Sequence, residues 1–438
     1  MPPRRLVVVG GGLAGSEAAW QAASRGVEVE LWEGRPEMRT PAHSTLYLGE
    51  LVCSNSLGSD LPETAAGLLK AELRRLGSLV MAAADRHRVA AGRALAVDRL
   101  AFARAVTARL ASHPLVRLRR GEVDRLPEGP AVIATGPLTS EKMAQALQEE
   151  LGASCLHFYD AAAPIVTGES VDPERSFWAS RYEKGGGDYL NCPLTQAEYE
   201  AFWQALVSAE TVPLNEIDRP LFFEGCLPVE ELARRGRDTL RFGPLKPVGL
   251  VDPRTGRQPY AVVQLRREDR SGRLLNLVGF QTRLRWGAQA EVFRMIPALA
   301  RAEFVRYGVM HRNTYLEAPA VLEPTLRARR RPRLFLAGQL VGVEGYLEST
   351  AAGLVAGINA ARAIRGETPV VFPEETMIGA LLAFVTRPRP VVQPMNASFG
   401  LLPPLRERVR GQASRRHRHV ERAQEALSNF LSCVTIGT

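Results

Sequence analysis

A strand, a glycine-rich turn, a helix and a second strand open this sequence. Another apolar strand running into glycines lies near the far end, and the long stretch between them is rich in prolines and aromatics. Together these features predict an α/β fold. A Rossmann-type parallel-sheet domain is expected from residues 1–152 and 311–438, with an α+β domain inserted at 153–310. A length of 438 residues suits two or three domains. With 45% apolar and 24% charged residues, the composition is that of a globular protein and excludes a disordered, collagen-like or coiled-coil chain.

Leu6–Val9 is a short apolar run of the kind that forms a buried parallel strand. Gly10-Gly11-Gly12-Leu13-Ala14-Gly15 follows. Ser16–Ser24 is alanine-rich and helical, Gly26 ends it, and Val27–Trp32 is the second strand, closing at Glu33. A weaker strand, Ala131–Ala134, leads into Thr135-Gly136-Pro137. Within the insert, turn signals at Lys184–Asp188 and Asp252–Gly256 accompany β-like runs at Tyr260–Leu265 and Leu274–Phe280. Leu334–Ala337 is a further strand, and Glu348–Ile364 a helix.

Gly10, Gly12 and Gly15 fit G-x-G-x-x-G between a strand and a helix. The first glycine permits the tight turn, the second lets a pyrophosphate approach the backbone, and the third lets helix and strand pack closely. The helix start at Leu13 and Ala14 offers free N–H groups and a positive dipole to phosphate. Glu33, 23 residues after Gly10, stands where a carboxylate accepts ribose hydroxyls. A dinucleotide is therefore expected, and two segments favour FAD over NAD. Ala134-Thr135-Gly136 looks like the second glycine turn of the two-dinucleotide-fold flavoproteins. Leu334–Gly345, with Gly338, Gln339, Gly342, Val343, Glu344 and Gly345, resembles their C-terminal flavin segment. No second fingerprint exists, so NAD(P)H is expected to visit the flavin as a transient reductant.

The N-terminal apolar run is only four residues long before the glycines, and no stretch approaches the roughly 20 apolar residues that cross a bilayer. A soluble, cytoplasmic chain with no membrane partner is expected. The five cysteines (Cys53, Cys155, Cys192, Cys226, Cys433) are odd in number and widely spaced. Neither a disulfide framework nor a structural metal is expected, because no C-x-x-C pair or His/Cys cluster is present. Cys53 sits among small polar residues. Cys226 lies between Gly225 and Pro228, in a turn expected at a helix start, where a thiolate gains from the dipole.

Cys53-Ser54-Asn55-Ser56-Leu57, Gly225-Cys226-Leu227-Pro228-Val229-Glu230, Arg241–Leu250 and Asn276–Thr282 resemble one family over nearly the whole chain. It is the folate- and FAD-dependent tRNA (uracil-5-)-methyltransferase family, TrmFO, related to the larger GidA-type flavoproteins that modify wobble uridine in tRNA. The resemblance implies methylation of C5 of the T-loop uridine, tRNA position 54. Methylenetetrahydrofolate supplies the carbon and reduced FAD the electrons, and Cys53 and Cys226 match the family's two chemical cysteines. The chemistry is coherent. Thiolate addition at C6 makes C5 of uracil enolate-like, able to attack an electrophilic methylene, and a hydride must then complete the methyl. Which cysteine attacks uracil stays open. The resemblance places folate near the flavin ring, against Gly342–Tyr346. Tyr346 is suited to stack on folate or uracil, to pass a proton, or simply to pack. Two other readings remain: a wobble-uridine-modifying flavoprotein, and a flavin-binding RNA-interaction or redox-sensing protein without methyl transfer.

A formal charge of +9, carried by 52 arginines and four lysines, suits a polyanion such as tRNA. The candidate contact patches are Arg327–Arg333 and the tail carrying Arg406, Arg408, Arg410, Arg415, Arg416 and Arg418. The run Arg415–His419 is expected to be exposed.

Overall fold

The computed structural model describes residues 5–38, 40, 42–152, 155–183, 187–213, 227–390, 392–407 and 409–434. Its central element is a five-stranded parallel sheet. The strands run in the order Leu334–Leu336, Ala131–Ile133, Arg5–Val9, Glu28–Glu33, Val116–Arg120. Three segments distant in sequence, the N-terminal unit, the Ala131 strand and the Leu334 strand, thus lie side by side. The turns after the first, Ala131 and Leu334 strands open at the same edge of the sheet.

The first helix, Leu13–Ala23, is buried on nearly every side. It is covered by the 19-residue helix Tyr346–Ile364, which crosses it at Gly353 and Gly357. A Cβ on Gly353 would stand 2.1 Å from the Ala14 carbonyl oxygen, and one on Gly357 2.5 Å from that of Ala18. Only glycine allows this approach. Buried glutamate side chains satisfy other helix starts. Glu17 accepts from the Ser78 hydroxyl and the Leu79 and Val80 amides, and Glu72 accepts from the Met377 and Ile378 amides.

The second large sheet is antiparallel and six-stranded. Its order is Phe177–Ala179, Tyr189–Leu194, Ala261–Arg267, Leu274–Leu277, Ile165–Thr167, Phe304–Arg306. Cys192, Leu265, Leu275 and Phe280 belong to a core of its own, roofed by the helices Gln196–Ser208, Val229–Arg234 and Trp286–Phe293. A two-stranded ribbon, Cys155–Ala161 against Met310–Leu316, leads into and out of this region. The expected boundary at 310/311 therefore falls inside a strand.

Candidate active site

The three convergent turns enclose a cavity of about 420 Å³. Gly10, Gly12, Leu13, Ala14, Glu33, Ala134, Thr135, Gly136, Gly338, Gln339, Glu344, Gly345, Cys53 and Tyr346 all line it. The structure thus brings together residues that the sequence places up to 336 positions apart. Gly15, Gly342 and Val343 do not line the cavity. A Cβ on Gly15 would stand 1.7 Å from the Gly10 carbonyl oxygen, so Gly15 serves the helix–strand contact. Gly342 takes the left-handed conformation (φ 86°) that turns the chain, and Val343 is fully buried.

The residues fit a dinucleotide. Gly10 has φ 105°, and a Cβ there would stand 2.3 Å from the Ala134 carbonyl oxygen. Nothing lies within 4 Å of a Cβ built on Gly12, so its backbone faces open space. Glycines, Gly12 and Gly345, stand at the N-caps of the helices Leu13–Ala23 and Tyr346–Ile364, so neither cap residue closes its helix end with a side chain, although the buried Glu348 occupies the first turn of the second. Two positive helix ends thus meet the cavity.

Glu33 is more firmly held than the sequence suggests. Its Oε1 accepts from the Arg35 amide at 3.0 Å and from Arg35 Nε at 2.9 Å. Its Oε2 accepts from the Gly11 amide at 3.1 Å and from Arg35 Nη2 at 3.2 Å. Burial opposes its ionisation, but the bonds and charge of Arg35 outweigh this and hold the carboxyl below its usual range. Arg35 also donates to Glu50 at 2.8 Å and to the carbonyls of Thr45 and Tyr47, which ties the cavity-lining loop to the strand end.

Cys53 lies in a segment with no regular secondary structure, yet side chains meet its backbone from both sides. The Cys53 and Ser54 amides donate to the Tyr346 phenol oxygen at 2.7 and 3.0 Å. Burial, then the neighbouring Cys53, push that phenol above its ordinary range, so Tyr346 stays neutral. The Cys53 thiol lies 3.6 Å from the Ala161 carbonyl oxygen. Cys226 lies outside the described residues; the helix Val229–Arg234 begins three positions after it. No side chain is described for Cys155. Cys192 is fully buried, and burial pushes its thiol up to about 12. Cys433 is exposed.

The charged patches differ in part from expectation. Arg415, Arg416, His417 and Arg418 are exposed on the helix Gln412–Cys433, but His419 turns inward and is buried against Phe399. Arg408 lies outside the described residues. Arg327 pairs with Glu323, and Arg331 is half-buried and donates to the Pro127 carbonyl, which leaves Arg329, Arg330 and Arg333 as the exposed members of the first patch. No described helix is long and apolar enough to cross a membrane, and no metal-binding group of His, Cys, Asp and Glu occurs among the described residues.

The family model for glucose inhibited division protein A matches residues 5–368. The methylenetetrahydrofolate–tRNA-(uracil-5-)-methyltransferase TrmFO of Moorella thermoacetica is 60% identical over 423 residues, 96% of this chain and 97% of that protein. The TrmFO of Synechococcus sp. (strain JA-3-3Ab) is 61% identical, covering 96% and 94%. This chain belongs to the TrmFO family of methyltransferases. Two crystal forms of Aquifex aeolicus GidA share its fold, with TM-scores of 0.71 and 0.70 at 17% identity. They cover 97% of this chain and 76% and 73% of theirs.

Several residues of the cavity escape a reading by motif. Arg35 and Glu50 are absent from the glycine fingerprint although they fix Glu33 and its loop. Gln281 reaches the cavity from the loop after the strand Leu274–Leu277, and Asn313 from the ribbon. Gln281 carries a signal, since it belongs to the motif Asn276–Thr282. Asn313 carries none.

Proposed function

We propose that this chain methylates C5 of the T-loop uridine, position 54 of tRNA. Methylenetetrahydrofolate gives the carbon, FAD gives the electrons, and NAD(P)H recharges the flavin. The observation that carries the reading is that the Cys53 segment and the glycine turn open into the same cavity. Gly10, Gly12 and the open start of the helix Leu13–Ala23 would hold the pyrophosphate, and the loop tied down by Arg35 would cover it. When bound, reduced flavin supplies the hydride that takes the transferred one-carbon unit to a methyl. Cys53 and Cys226 share the thiolate chemistry, one as the nucleophile at C6 of uracil and one in handling the methylene or a proton. The neutral Tyr346 holds the Cys53 backbone and carries a hydroxyl hydrogen beside the thiol. The target base must leave its stack to enter, at a cost of a few kcal/mol, and phosphate contacts by the exposed arginines would offset this. A tRNA substrate makes the cytoplasm the place of action.

Purified protein should show a yellow flavin spectrum. It should transfer label from methylenetetrahydrofolate to a tRNA transcript only when NAD(P)H is present. A transcript with uridine 54 changed to cytidine should stay unlabelled. Yellow protein that leaves the normal transcript unlabelled would replace this reading with that of a flavin-bearing RNA-interaction or redox-sensing protein.

A further inference from the structure

The last strand of the inserted sheet, Phe304–Arg306, is irregular. Phe304 pairs with Val166 and Arg306 with Ile165, so one extra residue, the exposed Val305, is accommodated between them. Without this bulge Arg306 would follow Phe304 into the apolar core, where the Phe304 ring meets Phe293. With it, Arg306 lies on the opposite face of the sheet and reaches across to the parallel-sheet domain. Arg306 Nη1 donates to the Val52 carbonyl at 3.1 Å, and Nη2 donates to the Cys53 carbonyl at 3.2 Å and the Ala163 carbonyl at 3.5 Å. Arg99 donates to the preceding carbonyl, Leu51, at 2.6 Å, and is itself held by Glu268 of the insert at 2.9 and 3.0 Å. Arg266 of the insert donates to Asn55 at 2.8 Å.

Three consecutive carbonyls, Leu51 to Cys53, therefore end on guanidinium groups, while the amides of Cys53 and Ser54 end on Tyr346. A loop with no ladder of its own takes its shape from these side chains. Among the described residues on the Cys53 carbonyl side, only Arg306 bridges two loop carbonyls and the linker at Ala163. We propose that Arg306 is a positioning residue, through which the inserted sheet fixes the Cys53 thiol at the cavity. The inference rests on the reading of Cys53 as a reactive thiol, and it makes the seating of the inserted sheet part of the active site's geometry. A planar two-pronged donor is required, because one ammonium cannot span both carbonyls in the same way.

The test uses full-length, flavin-loaded protein with Arg306→Gln and Arg306→Lys. Iodoacetamide labelling of Cys53 is followed by peptide mass spectrometry, with Cys53→Ala as the control for the peptide. The released loop should raise the Cys53 alkylation rate by about threefold or more in Arg306→Gln, with flavin content unchanged. The kcat for methyl transfer should fall roughly tenfold or more, as misplacement of a reacting group costs, while KM for tRNA moves little. Arg306→Lys should restore only part of both. Should the glutamine variant fail to fold, the lysine variant decides: wild-type alkylation and kcat there overturn the proposal. An unchanged alkylation rate in a folded Arg306→Gln protein also overturns it, whatever the kcat. If the wild-type protein transfers no methyl group, the functional reading fails on its own, and the alkylation rates still decide the role of Arg306.

Discussion

Cys53 and Lys70 show how much a single side chain owes to its surroundings. Cys53 is half-buried and backed by Tyr346, so its removal should cost chemistry rather than fold. Cys53→Ala and Cys226→Ala should each abolish methyl transfer from labelled methylenetetrahydrofolate while FAD absorbance is retained; full transfer by either variant would remove that thiol from the mechanism. Lys70 is one of four lysines in the chain and is fully buried, donating to the carbonyls of Gly58 at 3.3 Å and Ser59 at 2.6 Å. Burial lowers its pKa from 10.5 to about 8. Between those values the unfolded chain holds a proton that the folded chain has released, so raising the pH across this window adds stability. The unfolding free energy of wild type minus that of Lys70→Met should therefore grow between pH 8 and pH 10 in urea melts. A flat difference would mean that Lys70 keeps an ordinary proton affinity.

Helix crossing is the decisive event at the level of elements. The first helix and Tyr346–Ile364 touch backbone to backbone, and this contact brings Tyr346 and its helix end to the glycine turn. Gly353→Ala offers about 1 kcal/mol of helix propensity but places a methyl 2.1 Å from a carbonyl oxygen that cannot move aside. Overpacking of about 1–3 kcal/mol should win, giving net destabilisation and loss of bound flavin. Equal or higher stability in urea melts would show that the two helices have room to separate. The same scale explains what was legible. The Gly10–Gly15 fingerprint, the two strands around it and the helix after Leu334 follow from glycine spacing and short apolar runs, and they occur where those signals place them. The face presented by Arg306 does not follow. Alternation predicts that residues 304 and 306 share a face, and the bulge that separates them leaves no mark in composition.

Charge acts on the whole molecule. In the tail, Arg415 and Arg416 are exposed on the last helix, whereas Arg418 pairs with Glu421 at 2.7 Å. Replacing Arg415, Arg416 and Arg418 with glutamine should weaken tRNA binding. It should also reduce the slope of log affinity against log salt by about one for each phosphate no longer neutralised, with most of the change from the first two. An unchanged slope would take this helix out of the footprint. The Cys53 loop is held by Arg99, Arg266 and Arg306, so neutralising the tail should leave Cys53 alkylation as it is.

The parallel sheet, the dinucleotide turn, the presence of an insert and the family are all legible in the chain, because each is written in local spacing or in contiguous motifs. Only the packed molecule reveals that Cys53 meets Tyr346 and Arg306 across 293 and 253 positions, that Arg35 and the Gly11 amide hold both oxygens of Glu33, and that His419 faces inward. Most of these meetings join segments remote in sequence, and all are set by sheet order, a bulge, loop closure or helix packing, which no local pattern of residues encodes.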